Sequence, residues 1–175
     1  ANLTDYQTGL SNRRHFEIKL DEAQNQLERQ EYYNAEPGSR EASHENSYVI
    51  MMIDLNGLKP INDNEEGGHA AGDMAIEKIA KTIREQVRPG DVAARLGGDE
   101  FAVLLTLSEN ETCDQVVNSF KRRFGEEGDI AIKYNKKIWP LTASIGGRVL
   151  NSHEPISDQI NQVDSEMYAH KKQHH

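Results

Sequence analysis

Three carboxylates stand where the chain could bring them together. Asp99 and Glu100 follow the pair Gly97-Gly98 between two apolar runs, and Asp54 follows the apolar run YVIMMI. Carboxylate oxygens are ligands that Mg²⁺ prefers in proteins. Because side chains alternate along a strand, only one of the two hairpin acids can share a face with Asp54. If the strands are neighbours, one hairpin acid and Asp54 would form a metal site. On spacing alone, an ordinary hairpin turn near a strand-end acid is the favoured interpretation.

The elements that must position these acids are predicted from hydrophobic periodicity. Helical spacing predicts helices over residues 10–31, from about residue 70 to before 89, over 116–124 and over 157–172. Strands are predicted over residues 48–55, 92–95, 101–107, 130–134 and 138–149. Residues 92–95 and 101–107 flank the two glycines as a hairpin, and the polar stretch 34–47 is predicted to be a mobile loop. The order predicts an α/β (α+β) fold, a mixed central sheet covered by helices.

Composition narrows the classes of function. The chain has 175 residues with 29 acidic and 20 basic side chains, a net charge of −9, which argues against a nucleic-acid backbone binder. Its single cysteine excludes an internal disulfide and a cysteine-rich zinc site. No apolar run is long enough to span a bilayer and no signal peptide is evident, so a cytoplasmic location is expected, either free or as part of a membrane-anchored sensor protein. Residues 1–173 are predicted to be a single domain, with 174–175 the start of a purification tag.

Several motifs, in order along nearly the whole chain, resemble the GGDEF domain of bacterial diguanylate cyclases. Residues 97–101 carry the signature that names that family, and 5–14 resemble its opening motif, with Gln7 where leucine is usual. Further matches are residues 53–63, 67–73, 88–91, 141–147 and 163–171. The resemblance implies a nucleotidyl-cyclase or polymerase-palm-like fold with the signature hairpin at the active site.

The resemblance also implies a reaction and its catalytic residues. Two GTP molecules, each held by one domain of a homodimer, would condense into cyclic di-GMP with loss of two pyrophosphates. Two Mg²⁺ or Mn²⁺ ions per active site would be bound by Asp54, the backbone carbonyl of Leu55, Asp99 and Glu100. Asp99 would also assist deprotonation of the attacking hydroxyl. The role of Glu100, metal ligand or base, stays open.

The remaining functional residues are expected from the same matches. Asn62 and Asp73 would bind guanine. Phosphate would be bound by Asn56, Gly57, Leu58, Lys59 and Lys171. Arg88 and Asp91, in the sequence RPGD, would form an inhibitory site for cyclic di-GMP. No contact with nucleic acid or membrane is expected, and a sensor domain is expected on the N-terminal side of the full-length protein.

Three departures from the family pattern lead to further expectations. Four residues, 64–67, stand where the family usually has two, so they must bulge if Asn62 and Asp73 are to reach one base. The phosphate-binding arginine would fall at His175, and an insertion lies near residues 34–47. Two other functions remain open: a non-catalytic module that binds GTP or cyclic di-GMP, and a polymerase palm. The negative charge and the absence of fingers and thumb argue against the polymerase.

Overall fold

Helices and strands alternate along the chain in the computed structural model, which describes residues 2–35 and 46–173. The helices are α1 (Arg13–Ala35), α2 (Leu58–Asp63), α3 (Gly68–Gln86), α4 (Cys113–Arg123) and α5 (Ile156–Lys172). The strands are β1 (Ser47–Leu55), β2 (Val92–Gly97), β3 (Glu100–Leu107), β4 (Ala131–Tyr134), β5 (Lys137–Pro140) and β6 (Ala143–Val149). A short 3₁₀ turn, Glu126–Gly128, follows α4.

The main sheet has the strand order β2-β3-β1-β6, and its three strand pairs are antiparallel. Strand β1 lies inside the sheet, and its residues from Tyr48 to Leu55 are all buried, which confirms the prediction that both faces are covered. Val49, Met51 and Ile53 pack against α3 and α4. Ile50 and Met52 pack against α1 and α5 on the opposite face. The α+β class with helices on the sheet is therefore confirmed.

Strand directions differ from the mixed sheet that was expected. Among the described residues, the parallel pairing is limited to one isolated bridge between Ser11 and Ala94. The predicted strand 138–149 is also wrong as a single strand, since it breaks after Pro140. Pro140 has no N–H to donate to a ladder. Strand β5 pairs with β4 in a separate hairpin, whereas β6 pairs with β1.

Helix α2 was missed, because residues 56–58 were interpreted as a loop. Six residues are too few for a helical period to stand out, and the helix contains Pro60 near its start, where proline is tolerated. The prediction that residues 34–47 are a loop is wrong at both ends, because α1 runs to Ala35 and β1 begins at Ser47. Residues 36–45 and 174–175, with the expected insertion, tag and arginine position, lie outside the described residues. Within the described ranges, no helix has the length and apolar character that crossing a membrane requires.

Candidate active site

Asp54 lies at the end of the buried central strand, directly beside the hairpin between β2 and β3. It faces Glu100 in the β1–β3 register, and the N–H of Leu55 donates to the carbonyl of Asp99 at 3.0 Å. Asp54 is only 7% exposed, whereas Glu100 is exposed. Antiparallel pairing of β1 with β3 thus joins two parts of the sequence that are more than forty residues apart.

The glycine pair shapes the turn that carries the acids. Gly97 has φ 146° and Gly98 φ 48°, so both lie where side-chain-bearing residues are disfavoured. The β2–β3 register shifts between Arg95 and Gly97. Arg95 Nε and Nη2 donate to the Gly98 carbonyl at 3.0 and 2.9 Å and hold the turn. With this geometry, the Asp99 carboxyl lies near enough to Asp54 for its negative charge to raise the pKa of Asp54.

Asp54 has an unusual electrostatic environment. Burial raises the pKa of its carboxyl to about 6, Lys171 opposes this rise, and the neighbouring Asp99 adds to it. Lys171 Nζ donates to Asp54 Oδ2 at 2.7 Å, and this bond in turn raises the pKa of Lys171. Asp54 Oδ1 is buried and receives no hydrogen bond from the described residues. A buried carboxylate oxygen without a donor, beside a second carboxylate, is a site that a cation would stabilise.

The donor set fits a metal that takes part of its shell from a ligand. Across residues 2–35 and 46–173, no three His, Cys, Asp or Glu side chains are grouped to hold an ion. Asp54 and Asp99 therefore provide two carboxylates for a metal, and Glu100 does not lie close enough to form a group of three. Mg²⁺ is commonly held by one or two carboxylates together with water and substrate phosphates. The two acids and the adjacent Leu55 carbonyl fit such a metal better than a closed structural site.

Helix α5 places Lys171 over the end of β1, because a glycine in the sheet lets the helix approach closely. A Cβ on Gly146 of β6 would lie 2.4 Å from the Met167 nitrogen and 2.5 Å from the Val163 carbonyl. The helix backbone is thus packed directly on the strand. His170 Nδ1 accepts from the Ile145 N–H at 2.9 Å and fixes the last turns of the helix.

The two residues expected to bind guanine are Asn62 on α2 and Asp73 on α3, and the Asn62 side chain is in contact with α3. A Cβ on Gly72 would stand 1.8 Å from Asn62 Oδ1, so the Asn62 side chain lies against the residue next to Asp73. The intervening residues 64–67 form a tight turn in which the carbonyl of Asn64 accepts from the N–H of Gly67 at 3.2 Å. The longer segment therefore turns tightly and leaves Asn62 against the residue that precedes Asp73.

Asp73 is also in contact with a residue to which the sequence assigned no function. Gln7 Nε2 donates to Asp73 Oδ1 at 3.1 Å, and Arg95 Nη1 donates to Gln7 Oε1 at 2.8 Å. The replacement of the usual leucine by an amide was the one sequence signal that could have identified Gln7. Its partners, at positions 73 and 95, are too distant in sequence to be predicted from it.

The residues expected to bind phosphate are divided between two places. Asn56 is tied to the sheet, since its Nδ2 donates to Thr142 Oγ1 at 3.1 Å and its Oδ1 accepts from Ser144 Oγ at 3.0 Å. Gly57, with φ 75°, precedes helix α2, which Leu58 begins. Lys59 is exposed on that helix. Lys171 is bonded to Asp54 instead of lying in this loop.

Arg88 and Asp91 lie in the turn just before β2, at the opposite end of that strand from the glycine turn. Arg88 Nη1 donates to Glu111 Oε1 at 2.9 Å and Nη2 to the Thr106 carbonyl at 3.0 Å. The Asp91 carboxylate accepts from the backbone N–H groups of Arg88 and Thr106 at 3.0 and 3.1 Å. A cavity of about 250 Å³ borders Arg88 and Glu111 and reaches Phe120. The pair is thus engaged within the protein, beside an open cavity.

Comparison with known proteins identifies the class of this fold and site. The family described as "Diguanylate cyclase, GGDEF domain" matches residues 2–175. Diguanylate cyclase A of Treponema denticola is 35% identical over 124 residues, which are 70% of this chain and 32% of that protein. The probable diguanylate cyclase DgcJ of Escherichia coli is 29% identical over 171 residues, 98% of this chain and 30% of that protein.

A solved structure shows the same fold. The GGDEF domain of DgcB from Caulobacter crescentus, in complex with c-di-GMP, superposes with a TM-score of 0.80 at 24% identity, covering 98% of this chain and 91% of that one. The chain belongs to the GGDEF domain family of diguanylate cyclases. It spans about a third of the length of the two curated relatives.

Proposed function

We propose that this chain is a catalytic domain that condenses two GTP molecules into cyclic di-GMP and two pyrophosphates. The observation that carries the proposal is the carboxylate pair at the end of β1. Asp54 is buried, one of its oxygens has no donor among the described residues, and the neighbouring Asp99 carboxylate raises its pKa. Two buried or partly buried acids in this arrangement are costly for a fold unless a cation uses them.

The protein groups for the chemistry are those at the turn and at the strand end. Asp54, the Leu55 carbonyl and Asp99 would hold the divalent ions, with Glu100 at the exposed side. When bound, such ions neutralise phosphate charge and stabilise the attacking and leaving oxygens of an in-line displacement. The 3′-hydroxyl of one GTP attacks the α-phosphorus of the other, a new P–O bond forms, and the bond to pyrophosphate breaks. Asp99 or Glu100 receives the hydroxyl proton.

Selection of guanine over other bases is assigned to Asp73 and Asn62, away from the metal-binding carboxylates. Asp73 accepts from guanine N1–H and N2–H, a pair of donors that adenine lacks, and Asn62 contacts the same base edge. The contact of Asn62 with Gly72, the residue that precedes Asp73, supports this assignment. Lys59 and the amides at the start of α2 face the phosphates. Lys171, which donates to Asp54, would exchange this partner for a phosphate oxygen when the nucleotide is bound.

Two domains must meet for turnover, since each supplies one GTP. The Arg88 and Asp91 pair is proposed as a product site that holds domains apart when cyclic di-GMP accumulates. Arginine suits this role because its guanidinium can pair with guanine O6 and N7 or with phosphate. The position of Arg88 at the far end of β2 and the adjacent cavity support a site separate from the chemistry.

The test is incubation of the purified chain with GTP and Mg²⁺ over a series of protein concentrations. Cyclic di-GMP should form, and turnover per domain should rise with protein concentration because the active complex is a dimer. Tight GTP or cyclic di-GMP binding without turnover at any concentration would identify a non-catalytic module instead. Template-dependent incorporation of nucleotides would identify a polymerase.

A further inference from the structure

Gln7 occupies a place between the signature turn and the guanine site. Its Oε1 accepts from Arg95 Nη1 at 2.8 Å, and its Nε2 donates to Asp73 Oδ1 at 3.1 Å. Arg95 is itself fixed by the Gly98 carbonyl and, at 3.5 Å, by Asp5. A continuous series of hydrogen bonds therefore runs from the turn at Gly98 to Asp73.

The orientation of the Gln7 amide is determined by its two neighbours. Arginine can only donate, so the carbonyl oxygen of Gln7 must face Arg95. A carboxylate can only accept, so the amino group must face Asp73. Reversal of the amide would place donor against donor and acceptor against acceptor. Glutamine satisfies both neighbours, whereas leucine offers neither group and glutamate offers no donor to Asp73.

We propose that Gln7 is a positioning residue for guanine recognition, which holds the Asp73 carboxylate in the orientation that reads the base. This inference rests on the proposed function, because it assumes that Asp73 binds guanine. Asp73 is exposed, and an exposed carboxylate must lose rotational freedom when it pairs with a ligand. A carboxylate has about four acceptor positions, so one bond from Gln7 leaves others for guanine N1–H and N2–H.

Two substitutions separate the contacts of Gln7. Gln7→Glu keeps the shape and the acceptor that faces Arg95, but turns a carboxylate oxygen toward Asp73. Gln7→Leu removes both contacts and introduces the residue usual at this position in the family. The probe is 3′-deoxy-GTP with Mg²⁺, since it lacks the attacking hydroxyl and cannot turn over. We expect its Kd to rise about threefold in Gln7→Leu and about tenfold or more in Gln7→Glu, from lost preorganisation and added like-charge repulsion.

The ratio of the affinities for guanine and hypoxanthine nucleotides separates a specific effect on Asp73 from a general loss of structure, which would weaken both nucleotides equally. Hypoxanthine lacks the N2 amino group, so it cannot use both acceptors of a well-placed Asp73. Gln7→Glu should therefore weaken 3′-deoxy-GTP more than 3′-deoxy-ITP and reduce the preference for guanine. In an Asp73→Ala background, Gln7→Glu should cause no further loss, because the two residues then no longer act together. Thermal unfolding of each variant provides the check on folding.

The outcomes distinguish this inference from the proposed function. If the unmodified chain binds no 3′-deoxy-GTP and forms no cyclic di-GMP, the proposed function fails. If the unmodified chain binds and turns over, but Gln7→Glu and Gln7→Leu bind with its affinity and guanine preference, Gln7 does not position Asp73. An equal loss for both nucleotides, or a loss that persists in the Asp73→Ala background, also overturns the inference.

Discussion

Gly72→Ala should weaken guanine binding while leaving the fold stable. The added Cβ would stand 1.8 Å from Asn62 Oδ1, and ordinary contact begins at 3.4 Å, so the Asn62 amide must move by about 1.6 Å. The Asn62 Cγ would also lie 2.9 Å from the new Cβ, so the whole amide group must swing away from α3. Alanine also has a better helix propensity than glycine by about 1 kcal/mol, which favours α3.

The magnitude follows from the loss of one contact to the base. A hydrogen bond of this kind contributes about 0.5–1.5 kcal/mol net, which corresponds to an affinity loss of about two- to tenfold. Calorimetric titration with 3′-deoxy-GTP and Mg²⁺ measures the affinity, and urea unfolding measures the stability. We expect weaker binding with an unchanged or raised free energy of unfolding.

The matched control is Gly72→Ala in a protein that lacks the Asn62 side chain. In an Asn62→Ala background, Gly72→Ala should have no effect on nucleotide affinity, because no amide remains to be moved. Unchanged affinity in Gly72→Ala, together with a clear loss in Asn62→Ala, would refute the steric argument. A similar loss in both backgrounds would show that the added methyl acts on something other than Asn62.

Three further predictions address the metal site and the product site. Asp99→Ala and the isosteric Asp99→Asn should both abolish cyclic di-GMP formation without lowering the unfolding midpoint, because the residue lies on a partly exposed turn; synthesis at the original rate would remove Asp99 from the chemistry. Arg88→Ala should raise the cyclic di-GMP concentration at which synthesis stalls. Glu111→Gln should lower that concentration about two- to fivefold, because it releases Arg88 from a partly exposed ion pair. If the original chain and both variants stall at the same concentration, RPGD is only a turn. Lys171→Met should lower the metal-free unfolding free energy by about 1 kcal/mol at pH 8 but less at pH 5. Because the pKa of Asp54 is raised in the folded state, ionisation of Asp54 lowers the free energy of unfolding as pH rises through about 6. Loss of Lys171 makes this decrease larger, because the ionised carboxylate then has no cation beside it. A difference between the two proteins that does not depend on pH would contradict this reasoning.

The sequence was sufficient for the features that depend on neighbouring residues. The first six buried residues of β1, YVIMMI, form a continuous apolar run, and the Gly97-Gly98 pair lies between two further apolar runs, so the strand and the hairpin could both be predicted. Helix α2 gave no usable signal, since six residues complete fewer than two turns. The break after Pro140 was hidden because the apolar pattern continues on both sides of it.

The contacts that define the candidate site are mostly long-range, and periodicity carries no information about them. Lys171 meets Asp54 across 117 positions of the sequence, and Gln7 meets Asp73 across 66. The resemblance predicted which residues would belong to the site. It gave no indication that Lys171 would be bonded to a carboxylate or that an amide at position 7 would contact Asp73, because such pairings depend on how α5 and the N-terminal turn pack against the sheet.

As related sequences diverge, Gly97 of the signature turn should tolerate substitution less well than Gly98. Nothing lies within 4 Å of a Cβ built on either residue, so the restriction is torsional. Gly98, at φ 48°, is in the left-handed region that asparagine and aspartate also enter, whereas Gly97, at φ 146°, is in a region almost exclusive to glycine. A divergent copy with asparagine at position 98 would keep the turn and could still present its acids. A copy that has lost the first glycine would have lost the turn, whatever acids it retains, so the first letter of the signature is the more informative sign of a decayed site.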